Sequence, residues 1–186
     1  MLNDWDTWFP NCEPVGHHLR VAFPDRWVRF HSLPGSKRYA DNDAERATIL
    51  ERHNRVLGDL VGQGEDVALL TTGYAKTQSP PVRSYPELSD LDPDARPWRT
   101  VVYDDDQASD WHIVASTRRW TPGAFDRLVT LVADDKIANV MIVALDGRWL
   151  LHPYDGGMDV ILRTTEERDA LKARHPEWLS ARPDGM

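Results

Sequence analysis

The chain has 186 residues, 41% hydrophobic and 28% charged, and its 22 Lys and Arg against 30 Asp and Glu leave a net charge of −8. That length removes roughly 70% of the unfolded chain's surface from water, enough for one core over residues 1–186, and the composition excludes disordered and fibrous classes. A lone cysteine, Cys12, excludes an internal disulfide and a cysteine-ligated zinc site; no apolar run is long enough to span a membrane, and the start is acidic at Asp4 and Asp6 where a leader would be basic, so a cytoplasmic protein is expected.

The first thirty residues, with Pro10 and Pro14 among Trp5, Trp8 and Phe9, read as irregular, and Trp27-Val28-Arg29-Phe30-His31 alternates as a strand. From Asn42 to Val61 apolar residues recur at three and four, with Asn42 and Glu45 as a capping signature. Val67 to Thr72 follows as a short buried strand. Residues 76–99 hold five prolines (Pro80, Pro81, Pro86, Pro93, Pro97) and read as loop, part of a long Pro-rich acidic stretch at about 76–110. Thr100 to Tyr103 and Trp111 to Thr117 form a hairpin through Asp104-Asp105-Asp106. Thr121 caps a second helix with Pro122 in its first turn and Phe125, Leu128, Val129 and Val132 on its buried stripe. Val140 to Leu145 and Arg148 to His152 pair through the Asp146-Gly147 turn. A strand from Met158 to Leu162 and a helix from Thr165 to Arg174 complete the chain. The expected class is α+β, a largely antiparallel sheet with two to three helices packed on one face.

Charge is concentrated. Between Glu87 and Asp110 eight acids face only Arg96 and Arg99, a local balance of −6. Phosphate binding needs the opposite sign, so no nucleic-acid partner is expected, and a basic protein partner is. Within that stretch the candidate contacts are Asp104, Asp105, Asp106 and Asp110, with Trp98 as an aromatic anchor if it projects outward. No calcium-loop spacing, His-x-x-x-His pair, nucleophile elbow or phosphate-cradling glycine loop is present, so neither a cofactor nor a metal is expected. His17 and His18 would point apart in a strand. His152 stands beside Tyr154 and Asp155, where a carboxylate would favour its charged form. With Asp159, these residues make the alternative site, that of an enzyme of unknown reaction.

The run Leu150 to Ile161 carries Gly157-Met158-Asp159-Val160 after an apolar strand. This resembles the bacterial domain-of-unknown-function 3885 family, whose signature reads approximately Tyr-Asp-Asp-Arg-Gly-Met-Asp-Val. Arg29-Phe30, Tyr39, Glu45-Arg46-Ala47 and Trp178-Leu179 extend the resemblance over most of the chain. The turn here is one residue shorter, and the family's second acid and arginine are not both present. Gly156 and Gly157 are expected to supply positive-φ turn conformations, and Asp155 and Asp159 to bond nearby backbone amides. The resemblance implies no established activity; small acidic bacterial domains of this kind look like inhibitors or immunity proteins. The leading expectation is a non-catalytic, immunity-like or regulatory protein-binding domain.

Overall fold

The computed structural model describes residues 2, 4–76, 85–103, 109–182 and 185. The first thirty residues, read as irregular, contain two short helices, α1 (Trp5–Trp8) and α2 (Gly16–Ala22), ahead of β1 (Trp27–His31). His17 and His18 therefore sit on a helix, with ring centroids 4.4 Å apart, and not on opposite faces of a strand. The long helix α3 (Asp43–Leu60) starts as its sequence requires, with the Asn42 side chain accepting from the Glu45 amide at 3.0 Å.

The strand after it, β2 (Asp66–Lys76), is longer than its apolar run. Part of the expected loop is ordered structure: α4 (Glu87–Leu91) and β3 (Arg96–Tyr103) occupy it, while residues 77–84 lie outside the described ones. Pro97 is tolerated because β3 is an edge strand, and the register shift between Pro97 and Arg99 leaves Trp98 as an extra residue against β4 (Ser109–Arg119). A missing N–H costs little at an edge bulge. The β3–β4 hairpin pairs as expected, and Asp104, Asp105 and Asp106 lie outside the described residues.

Helix α5 (Asp126–Ala133) begins later than the Thr121 cap predicts, because Gly123 has φ +86 and breaks the helical path, its amide instead donating to Asn54 Oδ1 at 2.8 Å. Then β5 (Met141–Ala144), β6 (Trp149–Tyr154) and β7 (Gly157–Leu162) follow. Helix α6 (Thr165–Arg174) closes the regular structure with a capping box in which the Thr164 and Glu167 side chains each accept from the other's backbone N–H.

All strand pairs are antiparallel in one seven-stranded sheet of order β1-β7-β6-β5-β2-β4-β3. The α+β class holds, and α3, α5 and α6 pack on one face through Val56, Leu57, Leu128, Val129, Val132 and Leu171. The other face is also covered. Trp5, Phe9, Val15 and Leu19 of the N-terminal segment are buried there against Ala68, Leu70, Met141, Val143, Leu150 and Ile161. Alternation explains the division, since Leu69 and Leu151 face the three helices while Leu70 and Leu150 face the N-terminal segment.

Asn139 fixes that second layer. Held at φ 51, a conformation asparagine tolerates better than most residues, it accepts the Gly16 amide at 2.9 Å and donates to Pro14 O at 3.1 Å and Thr72 Oγ1 at 2.7 Å. One buried amide thus joins the start of α2 to β2, with both of its ends hydrogen-bonded.

His53 on α3 is enclosed, and its Nδ1 donates to Ile49 O at 2.8 Å. Burial pushes its pKa down to about 4, against the carbonyls of Ile49 and Gly157, which favour the charged form. The unfolded chain takes up this proton below its ordinary value of about 6.5, while the folded chain refuses it until about 4. Stability is therefore expected to fall by about 3 kcal/mol between those limits from this residue, with no further loss below them. Urea unfolding at pH 7.5, 6 and 5 checks this: His53→Leu flattens the acid slope by about one proton, and an unchanged slope refutes the assignment.

Candidate functional site

Side chains at the β1-β7-β6 end of the sheet, on the face covered by the N-terminal segment, form a polar row. Register places Arg29 opposite Asp159 and His152 opposite Asp159. Arg29 grips Asp159 with two hydrogen bonds, Nε to Oδ1 at 2.8 Å and Nη2 to Oδ2 at 2.9 Å, with the two side chains only 10% and 5% exposed. Burial opposes the Arg29 charge, but the Asp159 hydrogen bonds and charge more than offset it and raise the pKa. The guanidinium also lies 4.6 Å from the Tyr154 ring centroid. Burial pushes the Tyr154 phenol pKa up, so this hydroxyl keeps its proton.

His152 is half-buried, and its Nδ1 lies 2.8 Å from the Val140 carbonyl, which makes Nδ1 the protonated nitrogen and Nε2 the unprotonated one. Burial lowers its pKa despite that carbonyl, so the ring is a neutral base at pH 7. Gly16 packs on it so closely that a Cβ there would fall 2.2 Å from Nε2.

The β6–β7 turn is held from outside. Asp155 pairs with Arg38 Nε at 2.6 Å and accepts the Tyr39 hydroxyl at 2.8 Å. The loop that presents these two is tied to α3 by Lys37, which reaches Asp41 at 2.7 Å and Glu45 at 2.6 Å, and by the Asp41 amide, which donates to Glu45 at 2.7 Å. Arg38, Tyr39, Asn139, His152, Tyr154 and Asp155 line one cleft of about 280 Å³. Asp155 and Asp159 thus bind side chains, where bonds to backbone amides were expected.

Neither glycine of the turn has the expected positive φ. Gly157 is instead required by crowding, because a Cβ would sit 2.2 Å from the Phe30 carbonyl oxygen of the adjoining strand. Phe30 is fully buried, edge-on to Trp178, which stacks on His175 at 4.1 Å. Arg46 bridges to Asp134 at 2.7 Å.

The acidic candidates fare differently. Asp110 is buried at 6% exposure, and its neighbour in charge Asp92 is buried at 1%, where it accepts the Ser116 hydroxyl at 2.8 Å and has Arg118 at 3.6 Å. Glu87, Asp90 and Asp94 remain exposed. Trp98 is half-buried and meets Trp5 edge-on at 5.5 Å, so it fastens β3 to the N-terminal segment and does not project freely. Arg38 and Asn139 carry no motif and were not singled out from sequence. Asn139 before a strand, a residue type that tolerates positive φ, was the available signal. Among the described residues no group of three or more His, Cys, Asp and Glu could hold a metal ion, and no helix is long and apolar enough to cross a membrane.

The family model for the domain of unknown function DUF3885 matches residues 15–183. No curated protein and no solved structure matches the chain.

Removing one member of the Arg29–Asp159 pair strands a buried charge, which typically costs about 3–5 kcal/mol. Arg29→Met and Asp159→Leu are each expected to destabilise by that order, and the double variant by less than their sum. A double-mutant cycle by urea unfolding measures the coupling, and strict additivity would show the pair to be energetically independent.

Proposed function

We propose that this chain, which belongs to the DUF3885 family, is a non-catalytic protein-binding domain of immunity-like or regulatory kind that takes a basic partner along β3 and the adjoining acids. The carrying observation is that β3 is the edge of the sheet, bonded to β4 on one side only among the described residues. An edge strand offers a row of backbone donors and acceptors to an added strand. Val102 on it is 66% exposed, a ready apolar contact. Of its two cations, Arg99 is already occupied by Asp6 at 2.8 Å and Glu13 at 3.2 Å and Arg96 donates to the Pro93 and Ala95 carbonyls, while Glu87, Asp90 and Asp94 remain exposed nearby and Asp104, Asp105 and Asp106 follow in the chain. Such a field speeds encounter with a basic surface. A reducing bacterial cytoplasm suits the buried Cys12 thiol, whose pKa burial raises to about 11.

The test begins with native mass spectrometry on protein purified from its own host, to identify a basic partner. Association with that partner is then followed by stopped flow. Reversing Asp104, Asp105 and Asp106 to lysine is expected to slow association by about tenfold or more and to flatten its salt dependence, and Val102→Lys to speed dissociation. Unchanged kinetics in both variants reject the reading.

A second reading is supported by the shared cleft of His152, Tyr154 and Asp155. A neutral imidazole with an unprotonated Nε2 is a proton acceptor, the chemistry an enzyme at this turn would use once Gly16 moves off that nitrogen. A retained metabolite in the same mass spectrum, absent from His152→Gln, would favour it.

A further inference from the structure

At the opposite edge of the sheet, between β1, α6 and the C-terminal residues, lies a cleft of about 310 Å³. Its cations come from three elements: Arg29 from β1, Arg168 and Lys172 one turn apart on α6, and Arg182 from the C-terminal stretch. None of its described lining residues is acidic, in a protein whose net charge is −8.

The cleft is also nearly all donor. Guanidinium and ammonium groups carry no acceptor, and the Trp27 indole N–H, on another lining residue, is buried without a hydrogen-bond partner. A ligand here must therefore supply the acceptors. Two of the cations are preset: Asp159 orients Arg29, and Arg168 is fixed by Asp169 at 2.6 Å and approaches the Trp27 carbonyl at 3.4 Å. Asp169 is 60% exposed and so screened by water, which leaves Arg168 weakly neutralised. Lys172 pairs with no carboxylate among the described residues. Trp27, with the Arg29 guanidinium 5.5 Å from its ring centroid, and Leu179 add an apolar wall. The volume stands at the lower end of the roughly 300–1,000 Å³ range of small-molecule sites, too small for a macromolecular surface.

The geometry points to a binding site for a small organic phosphate, with the phosphoryl oxygens on Arg168 and Lys172 and the organic part against Trp27 and Leu179. Arginine forks match phosphate oxygens in pairs, and lysine adds a mobile point charge. This site is separate from the β3 edge, so it stands or falls independently of the protein-binding reading.

Titration calorimetry of the purified chain with inorganic phosphate, AMP and glucose 6-phosphate tests it. At least one ester is expected to bind more tightly than inorganic phosphate, and Lys172→Glu to weaken that ester by about tenfold or more. Lys172 is exposed, and matched urea midpoints confirm that the variant folds. Arg55→Glu, a charge reversal of an exposed cation on α3, is expected to leave binding unchanged. Lys172→Ala, which adds no negative charge, should weaken the ester less than Lys172→Glu does. The assignment is overturned if neither ester binds more tightly than inorganic phosphate, or if Arg55→Glu weakens binding as much as Lys172→Glu.

Discussion

A sheet that is apolar on both faces cannot stand in water with one face open, and this constraint organises the whole chain. Three helices cover one face. The other would expose Leu70, Met141, Val143, Leu150 and Ile161 if the N-terminal segment did not lie over it. At about 25 cal/mol for each Å² removed from water, burying such side chains stabilises the fold far more than any single polar contact. Two helices of four and seven residues are too short to persist by themselves, so packing on the sheet must hold them. The Asn139 amide supplies the directional part of that docking, bonding the start of α2 to the sheet where apolar contact alone would let it slide.

The same layer creates the polar row. Where α2 begins, Gly16 lies against His152 with no room for a side chain, and beyond it the face carries Arg29, Asp159 and Tyr154. Taking a guanidinium and a carboxylate out of water is costly, and here the paired hydrogen bonds offset that cost. Arg29 consequently has one fixed orientation. It belongs both to the buried row and to the rim of the basic cleft, so Asp159 positions a charge that the cleft shares.

Charge is distributed across the width of the sheet. The β1 edge gathers Arg29, Arg168, Lys172 and Arg182, whereas the exposed acids Glu87, Asp90 and Asp94 precede the β3 edge. The two edges therefore differ in the sign of their exposed charge. Two of the eight acids between Glu87 and Asp110, Asp92 and Asp110, are turned inward and contribute little to the outer field.

Elements whose signal is local were legible from residues alone. The periodicity of α3, the Asn42 cap, the Thr164 capping box and the Asp146-Gly147 turn depend on neighbours within a few positions, and the α+β class follows from them. Gly157-Met158-Asp159-Val160 was legible as a pattern, but its reason was not, since Gly157 is small because Phe30 O of another strand approaches it and Asp159 is charged because Arg29 faces it. Pro97 looked incompatible with a strand until the sheet order placed it on an edge. Pairing between residues 130 positions apart, the face each strand presents and the gathering of cations from β1, α6 and the C-terminal stretch are long-range facts. Local sequence determined which segments could be helix or strand, and only tertiary packing decided which charges were buried, which were paired and which were left facing water.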